Sequence, residues 1–110
     1  MNDRLLSFLG LCRRAGKMVI GYDPVVESIE TDQALLVIAA QDISGNTLKK
    51  VRTVTERYPN VRFSVINRSK DELSYSLGKT CAVLGVIDKG FADKLTELIS
   101  AEQKEGGITI

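Results

Sequence analysis

The chain has 110 residues, 15 Lys and Arg against 14 Asp and Glu for a net charge of +1, 44% apolar residues, and neither His nor Trp. That length suits one domain with its own core and is too short for two comfortable ones, and the composition is that of an ordinary globular protein. An aromatic content of 5% excludes a rich stacking surface, and the neutral total excludes a uniformly basic one, although Arg13, Arg14 and Lys17 cluster, as do Lys49, Lys50 and Arg52.

Leu5, Leu6, Phe8, Leu9 and Cys12 recur at helical spacing, with Asn2 or Asp3 as N-cap and Gly16 as stop, so the chain is expected to open with an amphipathic helix. Lys17 to Ile20 then reads as a short strand ended by Gly21. Asp23-Pro24 supplies an N-cap and a Pro at the first helical position for a helix that buries Val25, Val26 and Ile29. Leu35 to Ala39 is apolar throughout, the pattern of a strand covered on both faces. Leu48, Val51 and Val54 mark a helix capped by Ser44 or Asn46 and ending near Tyr58-Pro59.

Val61 to Ile66 follows as a strand, Lys70 to Leu77 as a helix stopped by Gly78, and Cys81 to Ile87 as a fourth strand. Phe91, Leu95, Leu98 and Ile99 mark the last helix, with a tail over 104–110 after a domain spanning 1–103. Strands alternating with helices predict an α/β fold, a three-layer α/β/α sandwich around a four-stranded sheet. Cys12 and Cys81 fall on apolar patterns and read as small buried hydrophobes, which suits a reducing cytoplasm. No signal peptide and no membrane-length apolar run is apparent, so a cytoplasmic location is expected.

Enzyme readings weaken quickly: there is no His, no G-x-S-x-G, no phosphate-binding loop, no dinucleotide fingerprint and no cysteine pair at metal spacing. Asp42, at the end of the 35–39 strand, is the one carboxylate poised like a catalytic group, and an Asp in such a loop more often satisfies helix N–H groups. The chain is therefore expected not to be an enzyme and to need no cofactor or metal. Past a strand end, helix N-termini offer free N–H groups, which makes Gln41-Asp42 the centre of a binding edge.

The motifs R-A-G-K-M-V-I-G-Y-D-P-V-V-E-S-I at 14–29, L-V-I-A-A-Q-D-I-S-G-N-T-L-K-K at 36–50 and E-L-S-Y-S-L-G-K at 72–79 occur in that order. Together they resemble the kink-turn RNA-binding ribosomal-protein superfamily of the L-seven-Ae and L-thirty-e type. L-G-L-C-R-R-A-G-K at 9–17 and D-K-G-F-A at 88–92 resemble its small bacterial YlxQ-like members. The resemblance covers nearly the whole chain. It implies an L-thirty-e-like sandwich with a mixed sheet, monomeric, that binds structured RNA of ribosomal kind, with the ribosome or a protein as a further partner.

The resemblance further implies contact through three loops, here Gly21 to Glu27, Gln41 to Ser44 and Leu77 to Thr80. The residues it nominates are Arg14, Lys17, Gly21, Tyr22, Asp23, Glu27, Gln41, Asp42, Ile43, Gly78 and Lys79. Lys17, Lys79 and the Arg13-Arg14 pair would surround the edge with positive charge. Tyr22 could stack on a base, its ordinary reading being a surface or half-buried residue.

The pattern departs from the family at informative positions. Kink-turn binders carry Gly-x-Asn-Glu followed three residues on by Lys, where this chain has Gly21, Tyr22, Asp23, Pro24 and Glu27. An ionised Asp cannot donate to the O6 and N7 acceptors of guanine as Asn can, and Glu27 repels the phosphate that Lys would attract. Gln41-Asp42 replaces Glu-Asp, and Ser74 stands where the family has Gly and would narrow a close backbone approach. These departures predict weakened kink-turn recognition. The alternative is a protein-interaction or scaffold module that keeps the fold without that recognition. Lys49, Lys50 and Arg52 read first as the solvent face of an amphipathic helix, and second as nucleic-acid contacts.

Overall fold

The computed structural model of the chain describes residues 3–107. Its centre is the apolar strand β2 (Leu36–Ala39), buried at every position. β2 pairs in parallel with β3 (Arg62–Val65) on one side and antiparallel with β4 (Val83–Val86) on the other, and β4 carries β1 (Met18–Ile20) antiparallel at the far edge. The order β1-β4-β2-β3 is thus a four-stranded mixed sheet, as expected.

Strand alternation divides the core in two. Leu36, Ile38 and Ala40 point into one apolar cluster together with Leu84 and Val86, while Val37, Ala39 and Val83 point into the other. The first cluster is closed by α1 (Arg4–Arg14), α4 (Lys70–Leu77) and α5 (Lys89–Gly107), and the second by α2 (Tyr22–Glu30) and α3 (Gly45–Glu56). Two faces each needing a cover explain why the run from Leu36 to Ala40 contains no polar residue. On the first face Phe8 of α1 meets Phe91 of α5 with ring centroids 5.2 Å apart. Cys12 and Cys81 are buried and unpaired, and burial pushes both thiols up to about 11, so they remain protonated fillers of the core.

Four helices are capped by side chains. Asp3 accepts from the Leu6 N–H, Ser44 from Thr47, and Asp88 from Phe91. Ser69 and Glu72 form a reciprocal capping box on α4, visible in the sequence as Ser-x-x-Glu. The second helix departs from expectation: its N-cap is Gly21, with no side-chain cap, and Asp23 and Pro24 lie within the first turn. Pro is tolerated there because the leading N–H groups of a helix have no intrahelical partner, so the Asp-Pro pair fits in a helix that begins earlier than expected. The last helix runs to Gly107, past the end expected at Gln103; the final tail residues, 108–110, lie outside the described ones.

Gly85 sets how closely α2 approaches the sheet. A Cβ at that position would lie 3.1 Å from Val19 Cγ2 and 3.4 Å from Ser28 Oγ. Ser28 is itself buried and donates to the Val25 carbonyl at 2.7 Å, so it has little room to retreat. Gly85→Ala should therefore cost about 2 kcal/mol by overpacking, read as a lower urea midpoint at unchanged m-value. An unchanged midpoint would mean that α2 is free to lift from the sheet.

Candidate functional site

The strand directions bring four chain segments to one end of the sheet. β1 and β2 finish there, β4 begins there, and the pairs Ile20↔Leu84 and Ala39↔Val83 align them. Backbone hydrogen bonds continue past the strands: the Gly21 N–H donates to the Val83 carbonyl at 3.0 Å, Ala40 to Ala82 at 2.9 Å, and Gln41 to Arg68 at 2.8 Å. The loops 21–27, 41–44 and 77–80 are neighbours for this reason, with the β3–α4 connection through Arg68 as a fourth wall.

Gly21 has φ 102° and ψ 159°, a conformation that side-chain-bearing residues adopt only with strain. It turns the chain from β1 directly into α2, so the first helical turn stands at the edge. Tyr22 is half-buried there, its ring beneath the Lys50 ammonium at 5.8 Å from the centroid, while Asp23 and Glu27 are exposed one helical turn apart.

Gln41 and Asp42 are both exposed, and Asp42 also holds a neighbouring helix, since its Oδ1 accepts the Lys70 N–H at 2.8 Å. The reading of Asp42 as a group that satisfies helix N–H donors agrees with this, although the helix it serves is α4 and not the one that follows it. Ile43, nominated as a contact residue, is only 9% exposed and belongs to the core beneath α3. A chain turning from strand into helix at the edge must bury one apolar side chain to seat the turn, and Ile43 is that residue.

The third loop is held from two sides. Gly78 ends α4 in the left-handed conformation with φ 70°, and the Gly78 and Lys79 N–H groups both donate to the Ser74 carbonyl. Ser74 Oγ accepts the Cys81 N–H at 2.9 Å, so this residue anchors the loop it was expected to crowd. Arg13 donates to the Leu77 carbonyl, which commits its guanidinium to the loop's start. Arg14 lies over Gly10 in a groove shared with Glu72 and Tyr75 of α4. Gly78, Lys79 and Thr80 stay exposed.

Lys17 lies elsewhere. Its carbonyl accepts the Ile87 N–H and Met18 pairs with Val86, so it stands at the opposite end of β1 from Gly21. Four extended residues put about 13 Å between the two. The spacing in the sequence hid this because β1 is three residues long and the chain enters and leaves it at opposite ends of the sheet.

Arg68 was not singled out from sequence, yet it organises the edge from behind. Its guanidinium bonds Asp3, the cap of α1, at 2.8 and 3.0 Å and Glu102 of α5 at 2.6 and 3.2 Å, while its carbonyl receives the Gln41 N–H. The side chain is 13% exposed. The Arg68 hydrogen bonds hold the Asp3 carboxyl below its ordinary range, and the two carboxylates raise the guanidinium's already high value. No local motif marks such a residue, since its partners are 65 and 34 positions away.

No cluster of three or more His, Cys, Asp or Glu able to hold a metal occurs among the described residues. Among them, too, no helix is long and apolar enough to cross a membrane. The edge is thus a surface of exposed loops, carrying backbone donors, Gln41, Lys79 and a half-buried Tyr22.

Residues 3–96 match the ribosomal protein L7Ae/L30e/S12e/Gadd45 family. The chain belongs to that family. Among its family relatives is RNA-binding protein YlxQ of Enterococcus faecium, 35% identical over 98 residues that cover 89% of this chain and 93% of the relative. RNA-binding protein YlxQ of Bacillus subtilis (strain 168) is 41% identical over 92 residues, covering 83% and 90%. A Bacillus halodurans protein of unknown function superposes with a TM-score of 0.84 at 33% identity, over 90% of this chain and 99% of the other. The Giardia lamblia 15.5kD RNA binding protein superposes with a TM-score of 0.73 over 92% of each chain at 16% identity, a likeness of fold.

The Arg68 cluster gives this family member a testable acid response. Asp3 is ordinarily near 3.8 and lies lower in the fold, so its contribution is present above that value and is lost as pH falls through the lowered one. Arg68→Met should cost about 2 kcal/mol at neutral pH, and the gap to wild type should narrow as the pH falls below the ordinary Asp3 value of 3.8. Urea titrations across that range measure it, and a pH-independent gap would assign the loss to packing alone.

Proposed function

We propose that the chain is a non-enzymatic RNA-binding protein that engages structured RNA, ribosomal RNA foremost, through the sheet edge formed by the loops 21–27, 41–44 and 77–80. The observation that carries this reading is the convergence of those three loops at one end of the sheet in a chain whose relatives at 35% and 41% identity are named RNA-binding proteins. Irregular RNA presents base edges and phosphates, and an edge of exposed Gly78, Lys79 and Gln41 offers N–H groups, a cation and an amide that both donates and accepts.

The contact set is Gly21, Gln41, Asp42, Gly78 and Lys79, with Arg14 on the α4 flank. Asp42 acts chiefly by holding α4, through Lys70, in place beside the loop. Kink-turn selectivity is weak in this reading. Asp23 and Glu27 are both exposed on the first turns of α2, where they offer acceptors and negative charge to guanine acceptors and phosphates. The protein works in the cytoplasm as a monomer, and a place on the ribosome is the natural setting for such an RNA surface.

Gel-shift titrations against a kink-turn RNA and an unrelated stem-loop over a salt series test this. Both RNAs should bind, with similar affinity and a steep salt dependence. Asp23→Asn combined with Glu27→Lys should tighten binding to the kink-turn by about tenfold, through one regained base contact and one removed repulsion. Absence of binding to either RNA near physiological salt would overturn the reading and leave a protein-contact module; unchanged selectivity in the double variant would remove the account of its weakness.

A further inference from the structure

The second layer carries two stripes of opposite sign. On α2, Asp23, Glu27 and Glu30 are exposed at spacings of four and three, which sets them on one face. On the neighbouring α3, Asn46, Lys49, Lys50 and Thr53 follow at helical spacing and, with the C-cap residue Arg57 and with Tyr22 and Val54, line an open groove of about 440 Å³. The groove begins at the sheet edge, because Tyr22 follows Gly21 directly and α3 starts one residue after Ser44. From Asn46 to Arg57 it runs about 16 Å along the helix.

The cations in this groove differ from those that face the last helix. Lys89 and Lys94 of α5 are paired with Asp93 and Glu97, and Arg62 with Asp93. Among the described residues, Lys49, Lys50 and Arg57 have no carboxylate within 4.0 Å, and the Lys50 ammonium lies over the Tyr22 ring instead. Three exposed like charges lining one groove give it a positive local potential that favours an anion. The acidic stripe on α2 turns a polyanion away from that helix and toward this groove.

We propose that the α3 groove is a phosphate-backbone subsite that carries RNA onward from the sheet edge, with Lys49, Lys50 and Arg57 as the phosphate contacts and Tyr22 as the joint between edge and groove. The proposal rests on the RNA-binding reading above and adds to it a second surface, specific to the backbone and indifferent to base sequence. Phosphate contacts of this kind position RNA without reading it, which suits a protein whose base-reading turn at Asp23 and Glu27 is impaired.

The test compares three triple variants with wild type, using the same kink-turn and stem-loop RNAs over a salt series. Lys49→Ala/Lys50→Ala/Arg57→Ala should lose about tenfold in affinity for both RNAs and lower the slope of log affinity against log salt by about two. Lys49→Arg/Lys50→Arg/Arg57→Lys, which keeps the charges, should retain both. Arg4→Ala/Lys89→Ala/Lys94→Ala removes the same charge from the opposite layer and should change the slope by much less. The substituted residues lie on α1, α3 and α5 or, for Arg57, at the C-cap of α3, and matched thermal unfolding verifies that the fold is intact. Wild-type binding with an unchanged groove variant overturns the subsite and leaves the RNA reading standing, as does an equal loss in the opposite-layer variant. Wild type that binds neither RNA overturns both.

Discussion

The burial of β2 on both faces is the constraint from which the rest of the molecule follows. A strand with Leu36 and Ile38 on one side and Val37 and Ala39 on the other demands helices above and below, and its central place gives it two hydrogen-bonded neighbours. Once that strand must end, its last backbone groups need partners. They find them in Ala82 and Arg68, which belong to the segments leading into β4 and α4. The candidate edge is therefore the place where a buried strand hands its hydrogen bonds to loops.

Those loops are held in place by side-chain hydrogen bonds to the backbone. Asp42 holds the start of α4, Ser74 holds the loop that leaves it, and Arg13 holds the carbonyl at its end. Arg68 fastens the same region to α1 and α5 through two carboxylates. Exposed residues such as Gln41 and Lys79 consequently sit on a fixed platform, and preorganisation of that kind lowers the ordering cost of binding. A near-neutral total charge conceals a surface divided by helix, with an acid stripe on α2 and a basic stripe on the adjoining α3.

Much of the site was legible because its signals are local. Gly21 and Gly78 mark turns, an apolar run breaking at Gln41-Asp42 marks a strand end, and the order of motifs names the family. Other parts were not legible. Lys17 lies near Gly21 in sequence yet across the sheet in space, since a strand separates them. Ile43 adjoins exposed residues yet is buried, because the turn into α3 needs an apolar anchor. Asp23 reads as an N-cap by residue type, whereas the helix begins earlier because Gly21 turns the chain at its positive φ and its N–H is held by Val83.

The sequence by itself determined the element order, the mixed α/β/α sandwich, the two buried thiols and the family, because apolar periodicity, turn residues and motifs each act over a few neighbouring positions. The tertiary structure alone decided which end of each strand faces the site, which helix Asp42 caps, and that Arg68 joins Asp3 to Glu102. It also brought Tyr22 beside Lys50, so that a charge run on α3 became the wall of a groove. These depend on distances between residues tens of positions apart, which strand pairing and helix packing set and no local pattern encodes.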